Sequence, residues 1–404
     1  MLVVFTGIIF CTSGFLFKVP KGVIVNGVDV GGKTYSDAVS LLRENIKEGI
    51  NLKVKGVAEY SFTYPEIDFS DNLKDILKKA KKDGVYEAKI TYRMRDIYEI
   101  SARICADEEV CACEPYAIFN SVGEPFTYFE GQNGRRADRL KLISDIQYSL
   151  ANGFTEVNIN FIETPTFRSM KDIEYDTRLL SSYTTYFDGG NFERAHNIEL
   201  AAESINGKIL ERGEEFSFNG TVGERSEKRG YKTAKIISKG EFIDGVGGGV
   251  CQVSTTLFNA AVLAGCKITE CHPHSLTVSY VPPSCDAMVS GDYYDLKFEN
   301  TTGSRLYVRA FTGGNFITFK IYGRGDGAEY FFESRVLDVI PAPVEEIEDE
   351  NVRDGKDGII SEGYLTVKRG SLATTKFLRR DKYTPLSARI KKPAAQETEE
   401  KVEP

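Results

Sequence analysis

A chain of 404 residues is longer than one compact core usually organises, so two or three domains are expected. An apolar content of 41% and a charged content of 27% are those of a globular protein. The net charge of -8, from 51 basic and 59 acidic residues, argues against a nucleic-acid partner.

Met1 to Phe17 carry no charged side chain and are mostly apolar, and Lys18 ends the run. A helix of that length reaches roughly 26 Å, close to the thickness of a bilayer core. Such a segment is either an uncleaved anchor or the apolar region of a signal peptide. No small-residue cleavage site follows, which favours a membrane anchor over residues 1–20 with Lys21 onward outside the cell. Eight cysteines without a C-x-x-C motif suit an exported chain in which disulfides are permitted, although spacing fixes no pairing.

Gly22 to about Ile97 reads as a small α/β unit. Val23, Val25 and Val28 suggest extended chain, and Gly31-Gly32 turns into the capping pattern Thr34-Tyr35-Ser36-Asp37. Ala38, Leu41, Leu42 and Ile46 then recur at helical spacing, and Asn51 to Phe62 and Ala88 to Tyr92 alternate as strands. A similar unit follows to Phe167, with strand Phe126 to Phe129, turn Gly131 to Gly134, helix Asp138 to Leu150 and strand Glu156 to Ile162. Together they make one module over 21–168.

Residues 175–323 form the domain that carries the motifs. Ala195, Ile198, Ala201, Ala202 and Ile205 give a helix from Asn191 to Asn206, stopped by Gly207. Strand patterns follow at Glu215 to Phe218, Thr233 to Ile237, Leu296 to Phe298, Leu306 to Ala310 and Phe316 to Tyr322. Pro341-Ala342-Pro343 and the acidic run after it place a linker over 324–357. A small β unit over 358–390 and a disordered tail over 391–404 complete a multi-domain α+β architecture.

The most informative stretch is Gly247-Gly248-Gly249-Val250-Cys251-Gln252-Val253-Ser254-Thr255, followed by His272-Pro273-His274. The chain has 3 histidines, and two of them lie here. Glycines let backbone approach closely, and a thiol that opens a helix sits where the helix dipole favours the thiolate. Val253, Leu257, Ala260 and Ala264 share one helical face, with Cys251, Ser254, Thr255 and Asn259 on the other. His272 and His274 share a side of the strand that follows, and Asp295 begins another. A nucleophile Cys251, a base His272 or His274 and an orienter Asp295 make a workable catalytic layout. The backbone N–H groups of Val250, Cys251 or Gln252, or the Gln252 side chain, would stabilise an oxyanion. In layout alone this resembles papain-like and NlpC-type peptidases.

Blander uses of the same residues stay open. Cys251 suits a buried core position, the glycines a tight turn and His-Pro-His a rigid corner. Zinc held by Cys251, His272 and His274, with Cys271 or Asp286 as fourth ligand, is a further arrangement. The leading expectation is a site with neither metal nor cofactor.

Several ordered motifs identify the stretch from Thr184 to Asn300 as similar to the VanW-like family. They include Asn191-Phe-Glu-Arg194-Ala-His196-Asn197, Gly213-Glu-Glu-Phe-Ser-Phe218-Asn219, Val222-Gly-Glu-Arg225, Gly247 to Asn259 and His272-Pro-His274-Ser275. Gly22 to Pro165 resembles the peptidoglycan-binding module that often precedes this domain, on Val25-Asn-Gly-Val-Asp-Val-Gly31-Gly and Gly131-Gln-Asn-Gly134-Arg-Arg-Ala-Asp138. Phe377-Leu-Arg-Arg380-Asp381-Lys-Tyr383 resembles a degenerate form of the glycine-containing extracellular β module that follows many such domains.

The resemblance implies a membrane-anchored, cell-surface protein of a Gram-positive bacterium whose partner is peptidoglycan. As an enzyme it would be a cysteine-dependent peptidase, amidase or transpeptidase acting on wall-peptide amides. Gly248, Gly249, Gln252, Ser254 and Thr255 would then surround the substrate. As a non-catalytic wall-binding or scaffold protein associated with glycopeptide tolerance, it would contact its ligand through Arg194, Asn197 and Arg225.

Overall fold

Most helix starts in this chain are written as Thr, Asp, Ser or Asn ahead of an apolar period. The computed structural model uses these caps as the sequence suggests. Thr34 caps Tyr35–Gly49, Asp138 caps Arg139–Asn152 and Asn191 caps Phe192–Ile205, each side chain accepting a backbone N–H three residues on. Ser169 and Asp172 close a reciprocal capping box at Met170–Asp176. The structure describes residues 17–238, 241–291, 293–348 and 352–392. The expected anchor therefore falls almost wholly outside the described residues, and so does the tail from residue 393 on. Among the described residues no helix is long and apolar enough to cross a membrane.

The fold is mixed α+β, with eight α-helices and many small sheets among the described residues. It divides into two units, one built from residues up to Glu114 together with Gly131–Phe167, the other from Pro115–Glu130 together with Arg168 onward. The first unit holds two small cores. In one, Ala38 and Leu42 of Tyr35–Gly49 bury against Val19, Val23, Val25, Leu73 and Leu77. In the other, strand Asn51–Lys55 pairs antiparallel with Glu59–Thr63 and parallel with Glu156–Asn158. Leu52, Val54 and Val157 pack there with Ile97, Ile100 and Ile104 of helix Met94–Glu108 and with Leu142 and Ile146 of Arg139–Asn152.

The hairpin Tyr116–Phe119 with Phe126–Phe129 belongs to the second unit, although the sequence places it in the first. Phe126 sets its ring edge-on against Tyr307 and Tyr322. Those tyrosines lie in a four-stranded sheet ordered Arg178–Tyr186, Phe316–Gly323, Leu306–Gly313, Ile209–Leu210. Helix Phe192–Ile205 packs on Leu306–Gly313, and helix Val250–Leu263 packs on Arg178–Tyr186 and Phe316–Gly323. A second sheet orders Glu215–Ser217, Lys297–Glu299 and Lys267–Glu270.

Two expectations need correction. Helix Val250–Leu263 is expected to pack through its apolar face alone, but Gln252 to Val262 are all buried, its polar side included. The span 324–357, read as linker, contains the twelve-residue strand Glu329–Ile340. That strand pairs with Gly358–Arg369, which pairs with Leu372–Tyr383 to make a three-stranded antiparallel sheet. Its apolar and charged residues alternate only in part and many stay exposed, so the periodic signal is weak.

Phe216 and Phe298 face each other across paired strands, both buried, with ring centroids 4.9 Å apart. Phe298→Ala removes that pair from a packed core and is expected to destabilise the unit by about 3–5 kcal/mol. Urea denaturation with an unchanged m-value checks the loss.

Candidate functional site

The helix that carries Cys251 begins where two other elements already sit, and glycine is what lets it do so. Gly249 has φ 106°, and a Cβ there would lie 3.0 Å from side-chain carbons of Arg194 and of Ile198. A Cβ on Gly248 would lie 2.7 Å from the Lys235 carbonyl oxygen. The run thus packs the helix start against Phe192–Ile205 and the hairpin Thr233–Ser238 with Glu241–Val246. Buried Asn197 holds the junction: its Nδ2 donates to the carbonyls of Lys232 and Gly248, and its Oδ1 accepts from Lys232 N. Gly249 lines the cavity described below, whereas Gly248 and Asn197 build the frame behind it.

The polar side of the helix grips an extended segment of backbone. Ser254 Oγ donates to the Ala287 carbonyl at 2.6 Å, and Ala287 N donates back to Thr255 Oγ1 at 3.0 Å. Asn259 Nδ2 donates to the Cys285 carbonyl at 2.8 Å, and Cys251 Sγ lies 3.4 Å from the Val289 carbonyl oxygen. Ser254 and Thr255, expected around the substrate, are instead fully buried and spent on this docking. Gln252 is equally committed: Nε2 donates to Thr185 Oγ1 and the Tyr186 carbonyl, and Oε1 accepts from Arg194 Nη2 at 2.7 Å.

Asp286 lies within the gripped segment and meets His274. The His274 backbone N–H donates to Asp286 Oδ2 at 2.7 Å, and His274 Nδ1 lies 2.6 Å from the same oxygen. The Cys251 thiol is near enough to His274 for each to act on the other's titration. With the Nδ1 proton given to the carboxylate, Nε2 is the nitrogen free to take the thiol proton. Asp286 Oδ1 accepts from the Tyr383 hydroxyl, and Arg379 Nη1 donates to the Asp286 carbonyl at 3.0 Å. Cys251, His274 and Asp286 are thus brought together, and Asp286 takes the place beside the histidine expected of Asp295.

Asp295 does other work, accepting from Ser217 Oγ, Asn219 N and Leu296 N at the start of a strand. His272 also points elsewhere, 3.1 Å from a Glu270 carboxylate oxygen and with its ring against Tyr294. Among the described residues no three His, Cys, Asp or Glu side chains gather as metal ligands. All seven described cysteines are free thiols.

The electrostatics single out one thiol. Burial pushes Cys266, Cys271 and Cys285 up to about 12. Burial also pushes Cys251 up, but the hydrogen bond and charge of His274, the Val289 backbone and the Arg225 guanidinium outweigh it and bring that thiol below its ordinary value. Burial pulls His274 down, yet its bonds to Asp286 and Cys251 raise it to about 9. For Asp286, burial is outweighed chiefly by the hydrogen bond and charge of His274, so its carboxyl sits below the ordinary range. Below about 9 His274 carries its proton, and its charge favours the thiolate form of Cys251.

Cys251 and His274 form part of the wall of a cavity of about 880 Å³. Arg194, Arg225, Tyr280, Ser290 and Lys356 line it as well, so Arg194 and Arg225 lie where the sequence expected ligand contact. The N–H groups of Val250 and Gln252 already bond the carbonyls of Gly247 and Gly249, which leaves the Cys251 N–H to meet an oxyanion. The arrangement is that of a nucleophile, a general acid–base and an orienter beside a ligand-sized space.

Asp286, Tyr383 and Arg379 were not read as catalytic-site residues from the sequence. One signal was available for Asp286: it is a lone charge in Ser284-Cys285-Asp286-Ala287-Met288-Val289, an otherwise small and apolar run.

Residues 193–322 match the family model described as VanW like protein. The chain is 44% identical over 146 residues to the Bacillus subtilis (strain 168) protein YoaR, covering 36% of this chain and 48% of that one. It is 31% identical over 114 residues to the vancomycin B-type resistance protein VanW of Enterococcus faecalis (strain ATCC 700802 / V583), covering 27% and 42% respectively. The chain thus spans about half the length of the curated relatives it matches. No solved structure matches it.

The Tyr383 hydroxyl serves two buried groups, donating to Asp286 and accepting from Ser284 N at 2.7 Å. Tyr383→Phe strands both and is expected to lower stability by about 1–3 kcal/mol. The urea midpoint measures that loss, and a midpoint equal to that of the unmodified protein would contradict the buried network.

Proposed function

We propose that this chain, whose residues 193–322 are a VanW-like domain, is a cysteine-dependent acyl-transfer enzyme acting on peptide amides of the cell wall. The observation that carries the reading is the relay from Cys251 through His274 to Asp286, opening on a cavity, with its thiol the one lowered among four in the same unit. The wall setting is supported by a relative named as a vancomycin B-type resistance protein and by the resemblance of Gly22 to Pro165 to a peptidoglycan-binding module. Action outside the membrane, with the N-terminal segment as anchor, belongs to the same reading.

In the first step the Cys251 thiolate attacks the amide carbonyl carbon and forms a C–S bond. The developing oxyanion is met by the Cys251 N–H. As the C–N bond breaks, the His274 imidazolium gives its proton to the departing amine. Water or a second amine then attacks the thioester, His274 takes up its proton, and the thiolate leaves. Asp286 holds the imidazole in the tautomer that both steps require.

Iodoacetamide should label Cys251 at neutral pH well ahead of Cys266, Cys271 and Cys285, and His274→Ala should slow that labelling. With muropeptides as substrate, His274→Ala is expected to lower turnover roughly 10²–10⁴-fold, and Cys251→Ser to abolish it. Turnover should fall on the acid side as the thiolate gains its proton. On the alkaline side it should fall through about 9, where the imidazolium loses the proton that the leaving amine needs. A Cys251 that resists alkylation until the protein unfolds sinks the enzyme. Muropeptides bound but never cleaved would leave a wall-binding domain in its place.

A further inference from the structure

Arg194 and Arg225 reach one cavity from separate elements, the first from helix Phe192–Ile205 and the second from the loop after the short helix Phe218–Val222. Both are half-buried, and each is held by a neutral amide. Arg194 Nη2 donates to Gln252 Oε1 at 2.7 Å, and Arg225 Nη2 donates to Asn219 Oδ1 at 2.5 Å. Among the described residues neither guanidinium pairs with a carboxylate. Other arginines of the same unit do pair: Arg324 with Asp176, Arg353 with Glu241 and Arg379 with Asp381.

Cations taken partly out of water without a counter-ion are costly, and burial lowers the pKa of both arginines accordingly. The Cys251 group does not balance them. With His274 protonated below about 9, Cys251, His274 and Asp286 together carry at most one negative charge, against two positive charges on the guanidiniums. The other charged groups around the cavity make no ion pair with either arginine. Exposed Asp188 acts on Arg194 and buried Asp295 on Arg225 only at a distance, Asp295 being taken up by Ser217, Asn219 and Leu296. Glu224 is exposed, Lys235 is paired with Asp244, and Lys356 gives its ammonium to the Thr277 carbonyl. The site is left with room for one anion beside the nucleophile. Arginine's planar fork suits a carboxylate in that place. Ile236, Ile237, Val246 and Val278 add apolar side chains to the lining, beside which a small side chain would fit.

We propose that Arg194 and Arg225 hold a free carboxylate next to the acyl group that Cys251 attacks, so that the substrate is the carboxylate-bearing end of a peptide rather than an internal bond. This rests on the acyl-transfer reading and narrows it. The amine released, as C–S forms, C–N breaks and His274 supplies a proton, is then an amino acid or short peptide carrying that carboxylate.

Two alkylating agents of nearly equal size separate the claims. Iodoacetate and iodoacetamide both lose iodide to the thiolate, and only the first carries a carboxylate. The ratio of their rates at Cys251 in the full chain, divided by the ratio for free cysteine, isolates recognition of the anion. That normalised ratio should be roughly ten- to a hundredfold in favour of iodoacetate. It should drop toward that of free cysteine in Arg194→Gln and Arg225→Gln, since the imidazolium remains in both. In the unmodified protein, N-acetylalanine should protect Cys251 from iodoacetamide and N-acetylalaninamide should not, a comparison that needs no variant to fold. A normalised ratio near one, with equal protection by acid and amide, overturns the carboxylate receptor. Rapid iodoacetamide labelling in that case leaves the acyl-transfer reading standing, whereas slow labelling by both agents removes the two together.

Discussion

The second unit is arranged around a carboxylate that has no exposed surface. Asp286 is 0% accessible, and an ion so placed must find partners on every side or lose its charge. It finds the backbone and ring of His274 on one oxygen and the Tyr383 hydroxyl on the other, with Arg379 bonded to its own carbonyl. Much else follows from meeting that demand. The imidazole is held by its Nδ1 near Cys251, and the C-terminal three-stranded sheet is drawn into the site. Helix Val250–Leu263, for its part, fixes the Asp286 segment by bonding the residues on either side of it.

That helix shows how a polar pattern can mislead. Ser254, Thr255 and Asn259 lie opposite the apolar stripe, and on a helical wheel they look solvated or aimed at ligand. Their partners are carbonyl and amide groups of Cys285 and Ala287, so the polar face is as buried as the apolar one. A backbone segment without regular pairing needs such donors and acceptors, because its own groups cannot go unmet. The sequence displays the donors but not the strand they answer to.

Local signals carried most of the secondary structure and part of the site. The caps at Thr34, Asp138 and Asn191, the glycine run and the thiol at a helix start are all short-range patterns, and each holds. The choice between His272 and His274 was not local, since both alternate to one side and only the neighbours decide. Glu270 and Tyr294 take His272, and Asp286 takes His274. Asp295 stands at a recognisable strand start, whereas Asp286 stands in an irregular stretch. Strand pattern therefore pointed to the wrong carboxylate. Tyr383 lies 97 positions beyond the group it serves, a pairing that no period or motif encodes.

The same long separation orders events in time. A chain made from its amino end produces the glycine run, Cys251 and both histidines well before the last strand that bears Tyr383. Until that strand docks, Asp286 lacks the Tyr383 hydroxyl on its second oxygen and Arg379 on its carbonyl. The full set of partners around Asp286 is therefore complete only when the last strand of the sheet is in place.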